Sequence, residues 1–408
     1  MKPSKSEVLK YGLPGFLFAF TALPLYLSTP IIYEGISNLS LATIGIILMI
    51  VRFSDAITDP IVGKMLDKTS KHRFIRWLLP SMLILSVSFF FLINPPNLFS
   101  NIYVVIIWFY FFLTVVSISN GAATLAYQSW VVSWTTSSES QINLVTSREM
   151  FTLLGVIVAS YFATQRMFFE MSIIVLLYSF FSVIALKTLS KNKLVKKKKN
   201  INVRFLSVFS KKTRRMFLIF GLNAFANSIP AILFIFFVQD ILQLSNNKAG
   251  LLLIVYFIFA ILSMPFWTRV INSFSPKSTW RFAISLSIFG FIWALFVGTD
   301  NFKYFLIICI FTGFALGAEL ICPPMILATK ITQLGHNGAL EGSYFGILNL
   351  FIKLSLALAS GMILPILSYY GYTSSGNSSE FSLTLLQFFY AGFPCILKAF
   401  CWFEIRKI

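Results

Sequence analysis

The sequence predicts an all-α membrane protein with about twelve transmembrane helices in two six-helix bundles, and three observations predict it. Of its 408 residues 57% are hydrophobic, 46 residues are phenylalanine and only 12% are charged, whereas a water-soluble domain is about a quarter charged. Mean hydropathy is +0.81. A helix needs about 20 apolar residues to cross roughly 30 Å of hydrocarbon, and about twelve such stretches can be marked along the chain. Finally, the basic residues behind the net charge of +19 collect on one side of the membrane that these stretches imply.

The stretches begin near Tyr11, Leu41, Phe74, Asn101, Asn143, Phe169, Met216, Lys248, Trp280, Lys303, Tyr344 and Phe381. The first runs on through Pro24 and Pro30 to Tyr33 without a small-residue cleavage site, so it reads as a span that serves as its own insertion signal. Pro14, Pro24 and Pro30 in this span, Pro230 in the seventh and Pro323 and Pro324 in the tenth mark helices expected to break and line a cavity, where water or neighbours satisfy loosened carbonyls. The most polar segment, Lys187 to Arg215 with the run Lys196 to Lys199, separates six spans from six. It divides the chain into a bundle over 1–186, a basic cytoplasmic linker over 187–215 and a bundle over 216–408. The lysine run reads as a solvated tether against anionic headgroups.

With a cytoplasmic N-terminus, one side holds Lys2, Lys5, Lys10, the run Lys64 to Arg76, the linker, Arg269, Lys277, Arg281, Arg406 and Lys407. The other holds only Arg166, Lys248 and Lys303, against Glu34, Glu170, Asp240, Asp300 and Glu380. Positive-inside placement accounts for this asymmetry, so no nucleic-acid partner is expected and both termini face the cytoplasm. Cys309, Cys322, Cys395 and Cys401 fall within spans without metal-site spacing and read as packing residues. The halves resemble repeats: Pro60 is followed by Asp67 and Arg76, and Pro265 at the same offsets by Asn272 and Arg281.

The charges at membrane depth are Arg52, Asp55, Asp59, Glu319, Lys353 and Lys398. An acid near the bilayer centre costs about 2.5 to 3.5 kcal/mol, so the default reading of Asp55 and Asp59 is an ion or proton site. Arg52, Asp55 and Asp59 share a helix face, and two carboxylates a turn apart share a proton, hold a cation or are neutralised by a base. With the Thr58 hydroxyl they suit Na⁺ as well as H⁺, and no other metal is expected. Lys353 is a candidate alternating counter-ion; a static ion-pair network of the same residues is the competing reading. Glu319 reads as a substrate ligand or a packing acid. Lys398, near the end of the last span, is expected to snorkel and carry no role. Tyr127, Gln128 and Trp130 and the pair Asn223 and Asn227 are polar or aromatic candidates, with interhelical hydrogen bonding as the alternative for the asparagines.

The segment Arg52-Phe-Ser-Asp55-Ala-Ile-Thr-Asp59-Pro60-Ile-Val-Gly63-Lys-Met-Leu-Asp67-Lys68, continuing to Lys71 and Arg73, resembles the major facilitator superfamily. More narrowly it is similar to the glycoside-pentoside-hexuronide:cation symporters typified by the melibiose carrier. Arg148-Glu149, Asn223 to Pro230, and Glu341-Gly-Ser-Tyr-Phe-Gly346 leading to Lys353 extend the resemblance over the whole chain. It implies that Asp55 and Asp59 carry the coupling cation and that Arg148 and Lys353 line the central cavity. It also implies that Gly63, Asp67, Lys68 and Arg73 form a cytoplasmic latch. Where sugar carriers of this kind have acids, this chain has Phe18, Ala19 and Thr124, and Gln128 stands for the aromatic that stacks on the sugar.

The expected function is secondary active symport of a small polar, sugar-like solute, coupled to H⁺ or Na⁺, with no other cofactor. A carrier of lysolipids or other amphiphiles is the alternative within transport, and a membrane receptor or embedded enzyme the alternative outside it. Against the enzyme, His72 and His336 fall in loops and no Ser-His or Cys-His pair shares a span. No phosphate-binding Gly-rich loop appears. The expected setting is a bacterial cytoplasmic membrane, with the chain monomeric.

Overall fold

The computed structural model describes residues 3–22, 24–37, 39–69, 73–96, 101–135, 137–190, 205–373 and 379–408. Lys71, His72 and the linker residues 191–204, including Lys196 to Lys199, lie outside the described residues. The described chain is helical without a strand: α1 (Lys5–Ala22), α2 (Pro24–Ser37), α3 (Leu41–Lys68), α4 (Arg73–Ile93), α5 (Ile102–Trp134), α6 (Ser138–Thr164), α7 (Phe168–Ser190), α8 (Lys211–Phe236), α9 (Asn246–Ser273), α10 (Pro276–Phe291), α11 (Phe302–Gln333), α12 (Glu341–Tyr369), α13 (Glu380–Gln387) and α14 (Phe393–Glu404). Among the described residues ten helical stretches are long and apolar enough to cross a membrane, α13 and α14 counting as one. The remaining two expected spans correspond to α1 with α2, and to α3. The first is described on either side of Leu23, which lies outside the described residues, as α1 and α2.

By backbone proximity the chain forms two compact units, 1–208 with 327–350 and 209–326 with 351–408. The segment 327–350, which falls within the 216–408 bundle of the sequence reading, thus clusters with the first unit.

Within the first unit, α1 lies close against α6. A Cβ at Gly15 would stand 2.5 Å from the Arg148 carbonyl oxygen, and one at Gly155 2.5 Å from that of Phe16, so the absence of side chains at these two positions sets the helix separation. On α3 the large apolar side chains Ile46, Met49, Phe53, Ile57, Ile61 and Met65 are exposed at helical spacing and form a lipid-facing stripe. Asp55, Asp59, Gly63 and Asp67 recur every four residues on the buried side.

In the second unit a core of Phe237, Phe305 and Tyr390 joins α8, α11 and the chain between α13 and α14, with Phe237 and Tyr390 stacked at 4.0 Å. Those two residues sit in π-helical turns, Phe237–Ile241 and Phe388–Gly392. The span expected from Trp280 ends early as α-helix and finishes in a 3-10 turn, Ile292–Leu295. Gln387 Nε2 donates to the carbonyls of Ala294, Leu295 and Val297 at 3.3, 2.9 and 3.1 Å. Loosened carbonyls in an apolar setting need such a donor.

Candidate functional site

The acids of α3 set the site. Asp55 and Asp59 are 8% and 1% exposed, in a helix whose other side is made of exposed Phe53, Ile57 and Ile61. The helical period places them there: one step of four residues returns to the buried face, whereas a step of two turns to lipid. Thr58 donates its hydroxyl to the Asp55 carbonyl at 2.9 Å, which leaves its oxygen lone pairs to accept. Arg52 is half-buried one turn earlier. The start of α12 crosses directly over Asp59. A Cβ at Gly346 would stand 2.7 Å from the Asp59 carbonyl oxygen and 3.0 Å from Pro60 Cα.

Two turns further along α3 the same crossing becomes polar. A Cβ at Gly342 would lie 2.5 Å from the Gly63 carbonyl oxygen. This close approach delivers the opening amides of α12 to Asp67. Asp67 Oδ1 accepts from the Gly342 amide at 2.9 Å, and Oδ2 from the Ser343 amide at 2.8 Å and hydroxyl at 2.6 Å. A carboxylate from α3 therefore caps the N-terminus of α12, where unpaired N–H groups and the helix dipole favour negative charge. Arg73 lies 3.7 Å from Asp67 and donates to Glu341 Oε2 at 2.7 Å. Glu341, wholly buried, also accepts at Oε1 from Ser133 Oγ and the Gly338 amide, both at 2.5 Å. In the turn before α12, His336 Nδ1 meets Tyr344 Oη at 2.9 Å, and burial holds the ring's pKa below the ordinary histidine value.

Near the middle of α6 Arg148 is buried, its Nε and Nη2 donating to Glu149 Oε1 at 2.8 and 2.5 Å. Its Nη1 and the Gln128 Oε1 are buried without a hydrogen-bond partner among the described residues. Tyr11 and Tyr127 clasp one another: Tyr11 Oη donates to the Tyr127 carbonyl at 2.7 Å, and Tyr127 Oη to the Tyr11 carbonyl. Trp130 and Trp134 stack at 5.2 Å beside Tyr11.

The second unit has its own ionic cluster. Glu319 on α11 binds Lys398 Nζ through both oxygens, at 2.5 and 2.7 Å, and its Oε2 also accepts from Asn223 and Asn227 at 3.3 and 3.0 Å. Lys398 is 5% exposed, so the expectation that it snorkels is corrected. α14 runs on past it to Glu404, and its ammonium is held by both oxygens of the buried Glu319.

A family model for the MFS/sugar transport protein family matches residues 10–406. The chain belongs to that family. A relative named an uncharacterized symporter, YnaJ of Bacillus subtilis (strain 168), is 22% identical over 404 residues, 91% of this chain and 84% of that one. Among solved structures, a bacterial homologue of the iron transporter ferroportin in its outward-facing state is 13% identical, with a TM-score of 0.74 over 99% of each chain. The MFS proton:xylose symporter XylE is 14% identical, with a TM-score of 0.66 over 99% of this chain and 95% of that one. At such identities these two share the fold.

This MFS chain is thus an all-α membrane transporter-family member and not an enzyme. Its structure brings the expected latch residues Gly63, Asp67 and Arg73 into one cluster, while Lys68 is exposed and stays outside it. It brings Asn223, Asn227 and Lys398 together around Glu319. Thr124 and Lys353 are half-buried on α5 and α12. Glu341, Ser343, Ser133 and Lys398 are the polar residues that sequence reasoning did not place. For the first two the signal was present, because an acid followed by Gly-Ser opens a helix whose amides require an acceptor.

Proposed function

We propose that this MFS protein is a symporter that moves a small polar solute by alternating access and is driven by H⁺ or Na⁺ carried at Asp55 and Asp59, with Thr58 as a third oxygen. The observation that carries this reading is the burial of two carboxylates one turn apart on the face of α3 that turns away from its lipid-facing stripe. Two adjacent anions in such a place favour a shared proton or a bound cation. A potential of 100 mV is worth about 2.3 kcal/mol per charge moved, enough to concentrate a solute roughly fifty-fold by one-to-one symport.

For the solute, the family description supports a sugar-like compound. The first and fourth expected spans supply no carboxylate at Phe18, Ala19 or Thr124, so in the first unit hydroxyl recognition falls to Gln128 and Arg148; in the second unit Asn223 and Asn227 are the candidate amides. Glu319 is committed to Lys398 at both oxygens. Its proposed part is to hold Asn223 and Asn227 in place.

The test is uptake into proteoliposomes loaded with either a proton or a sodium gradient. A panel of labelled monosaccharides and glycosides is set against a panel of lysolipids. Gradient-dependent uptake of a member of the first panel is the expected result. Uptake confined to the lysolipids moves the solute assignment to amphiphiles, and gradient-independent uptake contradicts symport. The reading also places the protein in a bacterial cytoplasmic membrane with cytoplasmic termini, in accord with the one-sided distribution of its bases.

A further inference from the structure

Beyond the transport reading and independent of it, we propose that the second unit carries a binding site for the phosphate of an anionic phospholipid, built from Arg281, Arg406 and Trp402 where α10 begins and α14 ends. Both guanidiniums lie against one indole ring: Arg281 Cζ is 4.1 Å and Arg406 Cζ 4.7 Å from the Trp402 ring centre. Stacking fixes the planes of the two forks and leaves their N–H edges to bind something else. Two like charges held against the same ring repel one another, and the arrangement calls for an anion.

Among the described residues no carboxylate supplies that anion. Neither Arg281 nor Arg406 forms an ion pair with a carboxylate among the described residues, and the Arg281 Nε–H is buried without an acceptor there. The acid nearest in sequence, Glu404, is already bound by Arg215 and by Lys407. The Ile408 oxygen is taken by Lys277.

The surroundings identify the ligand's chemistry. Phe282, Phe400 and Phe403 on the same two helices are large, apolar and exposed, as side chains turned to acyl chains are. By the positive-inside distribution this end lies at the cytoplasmic leaflet, where anionic lipids meet basic pockets between helices. A guanidinium fork matches two phosphate oxygens, and an amphipathic ring such as Trp402 belongs at headgroup depth. A zwitterionic lipid offers the same phosphate with a cation attached, which the two arginines repel. The site therefore selects a phosphodiester with net negative charge.

The test uses the full-length protein in nanodiscs of phosphatidylcholine containing a minor fraction of phosphatidylglycerol, with lipids retained after detergent extraction counted by native mass spectrometry. Retention of phosphatidylglycerol over phosphatidylcholine is expected, falling roughly fivefold for Arg281→Gln or Arg406→Gln alone and further in the double variant. Arg214→Gln/Arg269→Gln removes two exposed bases elsewhere and serves as the control for bulk charge, and the melting temperature of each variant verifies that it folds. Equal retention of the two lipids, or an equal loss in the control, overturns the proposal. So does an arginine-dependent binding of inorganic phosphate with phosphatidylglycerol retention independent of the arginines, since the site would then serve a soluble anion.

Discussion

The two units bury charge in different ways. At the end of α3 in the first unit, Asp67 receives three donors from the opening turn of α12, two of them backbone amides. Halfway along α11 in the second unit, Glu319 receives only side-chain donors, from Lys398, Asn223 and Asn227. An acid at a helix terminus meets N–H groups that have no other partner, and water can replace it when the helix withdraws. An acid in the middle of an apolar helix has no such replacement, so its cation is held permanently. The first arrangement suits a contact that opens and closes, the second a fixed pin.

Breaking the pin therefore has the largest effect. Glu319→Gln or Lys398→Met alone leaves a buried charge without its partner and should cost about 3 to 5 kcal/mol, seen as a lower unfolding midpoint in detergent. The double variant Glu319→Gln/Lys398→Met should recover most of that loss. A double variant no better than the singles would remove the contrast between pin and latch.

At the latch, Asp67→Asn keeps the shape but loses the charge that caps α12. The expected cost is about 1 to 3 kcal/mol. It should appear as faster hydrogen exchange at the Gly342 and Ser343 amides, with the Glu319 region unchanged. Gly346→Leu forces α12 away from Asp59 and should cost about 1 to 3 kcal/mol through overpacking. Gly361→Leu, on the same helix in open space, is the comparison and should be near neutral in thermal stability.

The smallest effect is a pH dependence. Burial lowers the His336 pKa, so the fold favours the neutral ring. That contribution is fully present above the ordinary histidine value of about 6.5 and is lost as pH falls through it toward the lower folded value. Wild type should therefore lose a little stability between pH 7.5 and 5.5 relative to His336→Gln. A variant with the same pH slope would show that the ring carries none of it.

Composition and the length of the apolar runs made the membrane class and the order of the spans legible, because both follow from the thickness of hydrocarbon. The buried face of α3 was legible for a similar reason, since Asp55, Asp59, Gly63 and Asp67 repeat at helical spacing. The partners were not. Arg73 meets Glu341 across 268 positions of sequence, and Lys398 meets Glu319 across 79. Nothing local marks such pairs. Lys398 was misread because its place near the end of the last span suggested snorkelling, whereas its ammonium is bound by the buried Glu319. The shortening of α10 had no local signal, since Gln387, which completes it, comes from another helix.

The central claim is that the α3 acids carry the driving cation. It is tested most directly by measuring cation flux that accompanies solute in proteoliposomes of wild type, Asp55→Asn, Asp59→Asn and the double variant, with solute exchange recorded in parallel. The expected result is that each single change abolishes solute-coupled proton or sodium entry while solute exchange down its own gradient persists. Uphill accumulation by the double variant at the wild-type level would contradict the account.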